Sequence, residues 1–312
     1  MNIFAIMNRH CERKCNMKKS KVLSGYLMVI CSAVIYGCMP LMSKYIYEDG
    51  VNPATLVFLR NFLALPSLAI LGFLQNKTLK IKPSALPSIS MIAALGCCVT
   101  PLLLFTSYKT IASGTATVLH FVYPAVVVIG NIIFYRQRPK WGNVISVIVC
   151  VSGIAMFYDP SLSIELEGCI WALLSGVAFA LYVIILPHFK YKEIKGFLFS
   201  FYIAAASAVM MFLYCLITKQ IALPETLKGW GLCLLFAILI TTGAVVLFQQ
   251  GTFIIGSEKA SILGTLEPIT AVIVGIVLFG DPSNSRTVIG TLLVILASLL
   301  IAVFDMKKSK KA

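Results

Sequence analysis

Long apolar runs separated by short polar stretches organise the whole chain. They lie at about 22–43, 54–74, 86–107, 112–134, 141–158, 168–187, 196–217, 229–250, 257–279 and 286–304. Each run is continuous rather than alternating, which reads as helix and not as the lipid-facing strand of a barrel. A hydrocarbon core roughly 30 Å thick takes about 20 apolar residues per helix, so the pattern predicts ten spans that together use most of the chain. No length remains for a soluble domain. The glycines and prolines inside the runs are compatible with membrane helices.

One stretch occurs twice, 144 positions apart. SGTATVLHFVYPAVVVIGNIIFYRQRPK begins at Ser113 and SEKASILGTLEPITAVIVGIVLFGDPSN at Ser257, aligning Ala116 with Ala260 and Pro124 with Pro268. The first copy ends in Arg136, Arg138 and Lys140, the second in Gly280, Asp281 and Pro282. Related segments with opposite flanking charge imply opposite orientation in a membrane. The chain therefore divides into a basic segment 1–21, a five-helix repeat at 22–158, an inverted five-helix repeat at 168–304 and a basic tail at 305–312. The expected fold is an all-α polytopic membrane protein of ten transmembrane helices in two inverted halves, the arrangement of a secondary transporter.

Composition fits this frame. Hydrophobic residues make up 59% of the 312, charged residues 12%, and mean hydropathy is +0.92. A net charge of +14 in a soluble protein would raise the question of nucleic acid. Here most of the basic residues fall on one side: the N-terminal segment, Lys77/Lys80/Lys82, Arg136/Arg138/Lys140, Lys190/Lys192/Lys195 and the tail. Glu48, Asp49, Asp159, Glu165, Glu167, Glu225 and Asp281 fall on the other. This asymmetry predicts a multi-pass protein of the plasma (inner) membrane with both termini cytoplasmic, and no nucleic-acid partner. The first sixteen residues read as a polar leader before Met17, a candidate start, and the first apolar run is too long for a cleaved signal. Most of the ten cysteines lie in or beside the runs, where Cys behaves as a small apolar residue, and no metal, disulfide framework or cofactor is expected.

Candidate functional residues cluster in the repeated stretch. Ser113, Thr117, His120, Pro124 and Asn131 share one face of the fourth span, and Ser257, Ser261, Gly264, Pro268 and Gly275 repeat it in the ninth. Such stripes read either as a packing seam or as the border of a central cavity. Glu267, ten residues into the ninth run, is expected near the bilayer midplane, about 15 Å deep. An ionised acid there costs about 2.5–3.5 kcal/mol, so it faces protein or a wet cavity, either coupling transport to protons or bonding backbone freed by Pro268. His120 is a candidate for substrate or proton contact. Pro124 and Pro268 each remove a backbone donor and predict matched kinks. Arg60, deep in the second run, would bind an anionic substrate group or pair with Glu48 or Asp49. Tyr36, Tyr182 and Gln249 are further path candidates, with Lys44, Lys109 and Gln250. Partners are the lipid bilayer, a small-molecule substrate and protons, and a monomer is expected. No HExxH, nucleophile-and-base pair or metal cluster supports an enzyme.

The chain resembles the EamA-type branch of the drug/metabolite transporter superfamily. The resemblance rests on SAVIYGCMPLMSK ending at Lys44, Pro53 followed by Arg60, SGTATVLHFVYP, and SEKASILGTLEP followed by Phe279-Gly280-Asp281. Where the family usually has an acidic residue after each of these two spans, this chain has Asp281 and, in the first copy, Gln137. The resemblance implies ten helices, cytoplasmic termini and movement of small metabolites or drugs, amino-acid-like or other organic solutes, with export favoured over uptake. A facilitator or exchanger without a proton step, and a non-transporting sensor or assembly protein, stay open as alternatives.

Overall fold

A computed structural model describes residues 22–135, 141–156, 166–185, 194, 196–255, 263–280 and 285–309, to which every count and absence below refers. The described residues form helices and no strand. Ten helical stretches follow in order: α1 (Val22–Glu48), α2 (Pro53–Asn76), α3 (Pro83–Ser107), α4 (Ser113–Phe134), α5 (Trp141–Ala155), α6 (Leu166–Ile185), α7 (Gly196–Ile217), α8 (Leu227–Phe248, running on to Ile255), α9 (Leu266–Phe279) and α10 (Ser285–Ser309). Seven of these, α1 to α4 and α6 to α8, are long and apolar enough to cross a membrane, and α5, α9 and α10 carry shorter apolar stretches.

Packing follows the duplication. α2 lies along α7, α5 along α10 and α4 along α9, so these six helices meet their counterparts from the other half. α3 packs on α6, and α1 on α8, where Gly25 receives Ile254 and Ile255 and Gly251 receives Val29. The small residues at these crossings let the backbones approach, which is how helices associate where lipid removes the hydrophobic drive between them. At Gly153 an added Cβ would stand 3.0 Å from the Gly290 carbonyl, which marks the α5–α10 crossing. Large apolar side chains such as Ile70, Phe73, Ile133, Phe134, Ile148 and Leu292 remain exposed around the bundle, as a lipid-facing belt requires.

α1 is interrupted at Cys38 and α2 at Leu63–Ala64, and four other helices are irregular in matched pairs. α4 is interrupted at Phe121–Val122 and α9 at Thr265, 144 positions after Phe121, each just before its proline. α3 widens into a π-helical segment at Ala94–Val99, and α8 does so at Ala237–Ala244. Side chains from other helices meet the backbone there: Asn61 Nδ2 donates to the Cys97 carbonyl at 3.5 Å, Ser207 Oγ to the Ala93 carbonyl at 3.5 Å, and Ser32 Oγ to the Ala244 carbonyl at 2.7 Å.

Both ends of the α2–α7 pair are tied across the halves. At one end Thr226 Oγ1 donates to Asp49 Oδ1 at 2.7 Å and Thr226 N–H to Asp49 Oδ2 at 3.1 Å, while Thr226 also caps α8 by accepting from Gly229 N–H. Asn52 Nδ2 and Thr55 Oγ1 both donate to the Gln220 carbonyl there. At the opposite end Phe197 N–H donates to Gln75 Oε1 at 3.1 Å and Tyr202 donates to the Leu79 carbonyl at 2.6 Å. These bonds sit on an apolar cluster of Leu79, Ile81, Ala85, Ile89, Ile194 and Leu198.

Candidate functional site

Tyr36, Cys97, Tyr123, Tyr182 and Glu267 lie deep between the two halves yet keep partial accessibility, so they border a hollow rather than solid core. Several helices build it. Tyr36 comes from α1, Cys97 from the π-helical segment of α3, Tyr123 from just beyond the break in α4, Tyr182 from α6 and Glu267 from α9. Tyr36 and Phe179 stand 143 positions apart, as do Gly25 and Gly168, and Ser32 and Ser175. The first and sixth helices therefore share a frame as the fourth and ninth do.

The break at Thr265 changes the setting of Glu267. Read from the sequence, this acid lies well inside a continuous helix, but it occupies the first turn of the helical segment that restarts at Leu266. Free N–H groups and the positive end of the helix dipole gather at such a start, a position that suits an acidic side chain. α1 closes on the same point. A Cβ on Gly37 would stand 2.8 Å from the Glu267 carbonyl and collide with Thr270. Glycine at 37 thus permits the α1–α9 crossing that brings Tyr36 within electrostatic reach of Glu267. Tyr108 and Tyr123 approach the same carboxyl.

His120 is 5% exposed and ringed by Phe121, Tyr123 and Phe179, with centroids 5.4–6.4 Å away. Its Nδ1 lies 2.8 Å from Ser175 Oγ, and that hydroxyl gives its single proton to the Ala172 carbonyl at 2.6 Å. Nδ1 must then carry the hydrogen, which leaves Nε2 as the acceptor. The His120 carbonyl, whose usual donor Pro124 removes, faces Gly176, where a Cβ would sit 2.6 Å from the oxygen.

The start of the α4 stripe, at Ser113 and Thr117, is a seam. Thr117 is 1% exposed, donates to the Ser113 carbonyl at 2.9 Å and shares a 3.2 Å hydrogen bond with Tyr108. Ser113 is fully buried, and at Gly114 a Cβ would meet Val272 Cα of α9 at 3.0 Å. The stripe begins as helix–helix packing and reaches the hollow only at His120. The Thr117 hydroxyl is taken up within this seam by Ser113 and Tyr108.

Arg60 is 7% exposed on α2 and stands beside Cys97 and Tyr36, with its guanidinium carbon 5.7 Å from the centre of the Phe105 ring. Pairing with Asp49 is not observed. The Asp49 carboxylate is held by Thr226, whose hydroxyl keeps it below the usual carboxylate range. Among the described residues Arg60 has no ion pair, and its Nε is buried without a partner. Ser261, Asp281 and the side chains of Gln249 and Asn131 lie outside the described residues. Pro268, buried, follows Glu267 directly.

Sequence reasoning named five of the residues gathered here: Tyr36, Arg60, His120, Tyr182 and Glu267. It passed over Phe179, Tyr123, Cys97 and Ser175. The 143-position match of Tyr36 with Phe179 was the signal available for one of them.

Comparison with known proteins agrees with this architecture. The EamA-like transporter family matches residues 23–158 and again 166–303. An uncharacterized inner membrane transporter, YicL, of Salmonella typhimurium is 24% identical over 306 residues, covering 92% of this chain and 98% of its own. The S-adenosylmethionine uptake transporter of Rickettsia prowazekii is 24% identical over 301 residues, covering 92% and 95%. One solved crystal structure superposes with a TM-score of 0.61 at 15% identity, over 90% of this chain and 98% of its own, a likeness of fold. The chain is a multi-pass membrane protein and belongs to the EamA-like transporter family of the drug/metabolite transporter superfamily.

Proposed function

We propose that this protein is a secondary carrier that moves small organic solutes across the plasma membrane by alternating access, with the hollow between its halves as the binding site. One observation carries the reading: an acid, Glu267, stands in an enclosed, partly accessible space flanked by helix breaks at matched positions in the two halves. Secondary transporters bind at the repeat interface, using interrupted helices. The basic loops set both termini on the cytoplasmic side, and the direction of flux is export. Glu267 carries the proton that drives it, and Tyr36, His120, Arg60 and Tyr182 border the solute.

Purified protein in liposomes tests this against amino acids, nucleosides, sugars and cationic drugs, with and without a pH gradient. S-adenosylmethionine belongs in the panel, because one relative is named for its uptake. Gradient-driven flux that becomes independent of the gradient in Glu267→Gln supports the full reading. Flux equal with and without the gradient in the wild type replaces it with a facilitator or exchanger. No flux of any solute by folded protein favours a sensor or assembly role.

A further inference from the structure

Resting on that reading of the hollow as the solute site, we infer that its occupant is an organic monocarboxylate with a planar aromatic body, its carboxylate seated on Arg60. An arginine that is only 7% exposed, with its Nε buried, is costly unless an anion completes it, and among the described residues no carboxylate does so. Glu267, which like Arg60 lies within electrostatic reach of Tyr36, makes no ion pair with Arg60. The guanidinium carbon lies over the Phe105 ring, 5.7 Å from its centre, and Nε still lacks an acceptor. The planar fork of Arg matches a carboxylate with two parallel hydrogen bonds.

The charge count selects among anions. One guanidinium balances one negative charge, whereas a phosphate monoester carries about −1.5 to −2 and would leave charge buried without a partner. The walls select the body. Phe179 packs edge-on to Tyr123 at 4.8 Å and stacked with Tyr182 at 5.5 Å, and His120 joins the group at 5.4 Å from Phe179. Gly96 lies flat against the Tyr182 ring, with no room for a Cβ, so the wall is held from behind. A flat ring enters such a wall edge-on or offset-stacked.

The test is equilibrium binding to the full chain in detergent, using 3-phenylpropionate, its amide and phenyl phosphate. The carboxylate should bind at least tenfold tighter than the amide and tighter than the phosphate. Arg60→Gln should erase the preference over the amide, and Arg60→Lys should keep part of it, with thermal unfolding showing both variants folded. Gly231→Ala, where an added Cβ meets nothing within 4 Å, should leave the preference standing. Equal binding of acid and amide, no binding of any probe, tighter binding of the phosphate, or a preference that survives Arg60→Gln would each overturn the inference. The outcome is separable from transport itself. Binding without flux in liposomes sinks the carrier reading alone, while flux of neutral solutes with no carboxylate preference sinks this one alone.

Discussion

His120 and Ser175 are joined by a hydrogen bond of fixed direction: Ser175 passes its own proton to the Ala172 carbonyl and so can only accept from Nδ1. Removing the hydroxyl strands a buried donor. Ser175→Ala should cost about 1–3 kcal/mol, read as a lower unfolding temperature in detergent. An unchanged unfolding temperature would remove the bond from the account.

Gly37 sets the distance between α1 and α9. A single methyl there meets the Glu267 carbonyl and Thr270, both fixed in helix. Gly37→Ala should destabilise by about 1–3 kcal/mol and reduce flux more than expression. Replacing Gly231, where an added Cβ meets nothing within 4 Å, should do neither and serves as the control.

The two prolines break α4 and α9 at equivalent places. With Pro124→Ala and Pro268→Ala combined, each helix regains a backbone donor, so the double variant should unfold at a higher temperature while its turnover falls. Equal turnover in the two proteins would mean that the breaks are not points of bending.

The Asp49–Thr226 tie gives a pH prediction. Thr226 lowers the Asp49 value, so the stabilisation is complete above the ordinary value of about 3.9 and is lost only as pH falls through the lower, folded one. Hydrogen exchange over 220–230, corrected for intrinsic rates, should therefore be the same at pH 5 and pH 7. Thr226→Ala should raise it at both, since it also removes the α8 cap, worth about 0.5–2 kcal/mol.

Much of this was legible in the residues because membrane helices announce themselves by length and the duplication fixed their pairing. Pro124 and Pro268 marked the breaks for the same reason: a missing donor is a local property. The π-helical segments were not legible. Ala94–Val99 holds no proline, and its wide turn is met by Asn61 and Ser207, side chains remote in sequence. Periodicity put Thr117 on the His120 face but could not show that Tyr108 closes that face one turn earlier. Arg60 was read as binding an anionic substrate group or pairing with Glu48 or Asp49, and of these acids Asp49 is held instead by a threonine 177 positions away.

The two tied ends differ in substance. The Asp49 end is held by exposed hydrogen bonds, while the Gln75 end rests on leucine, isoleucine and alanine packed together. Parting polar surfaces lowers heat capacity, whereas parting apolar ones raises it. In a carrier that opens each end in turn, the two half-cycles would therefore respond unequally to warming, and a curved Arrhenius plot would belong to the half-cycle that opens the apolar end.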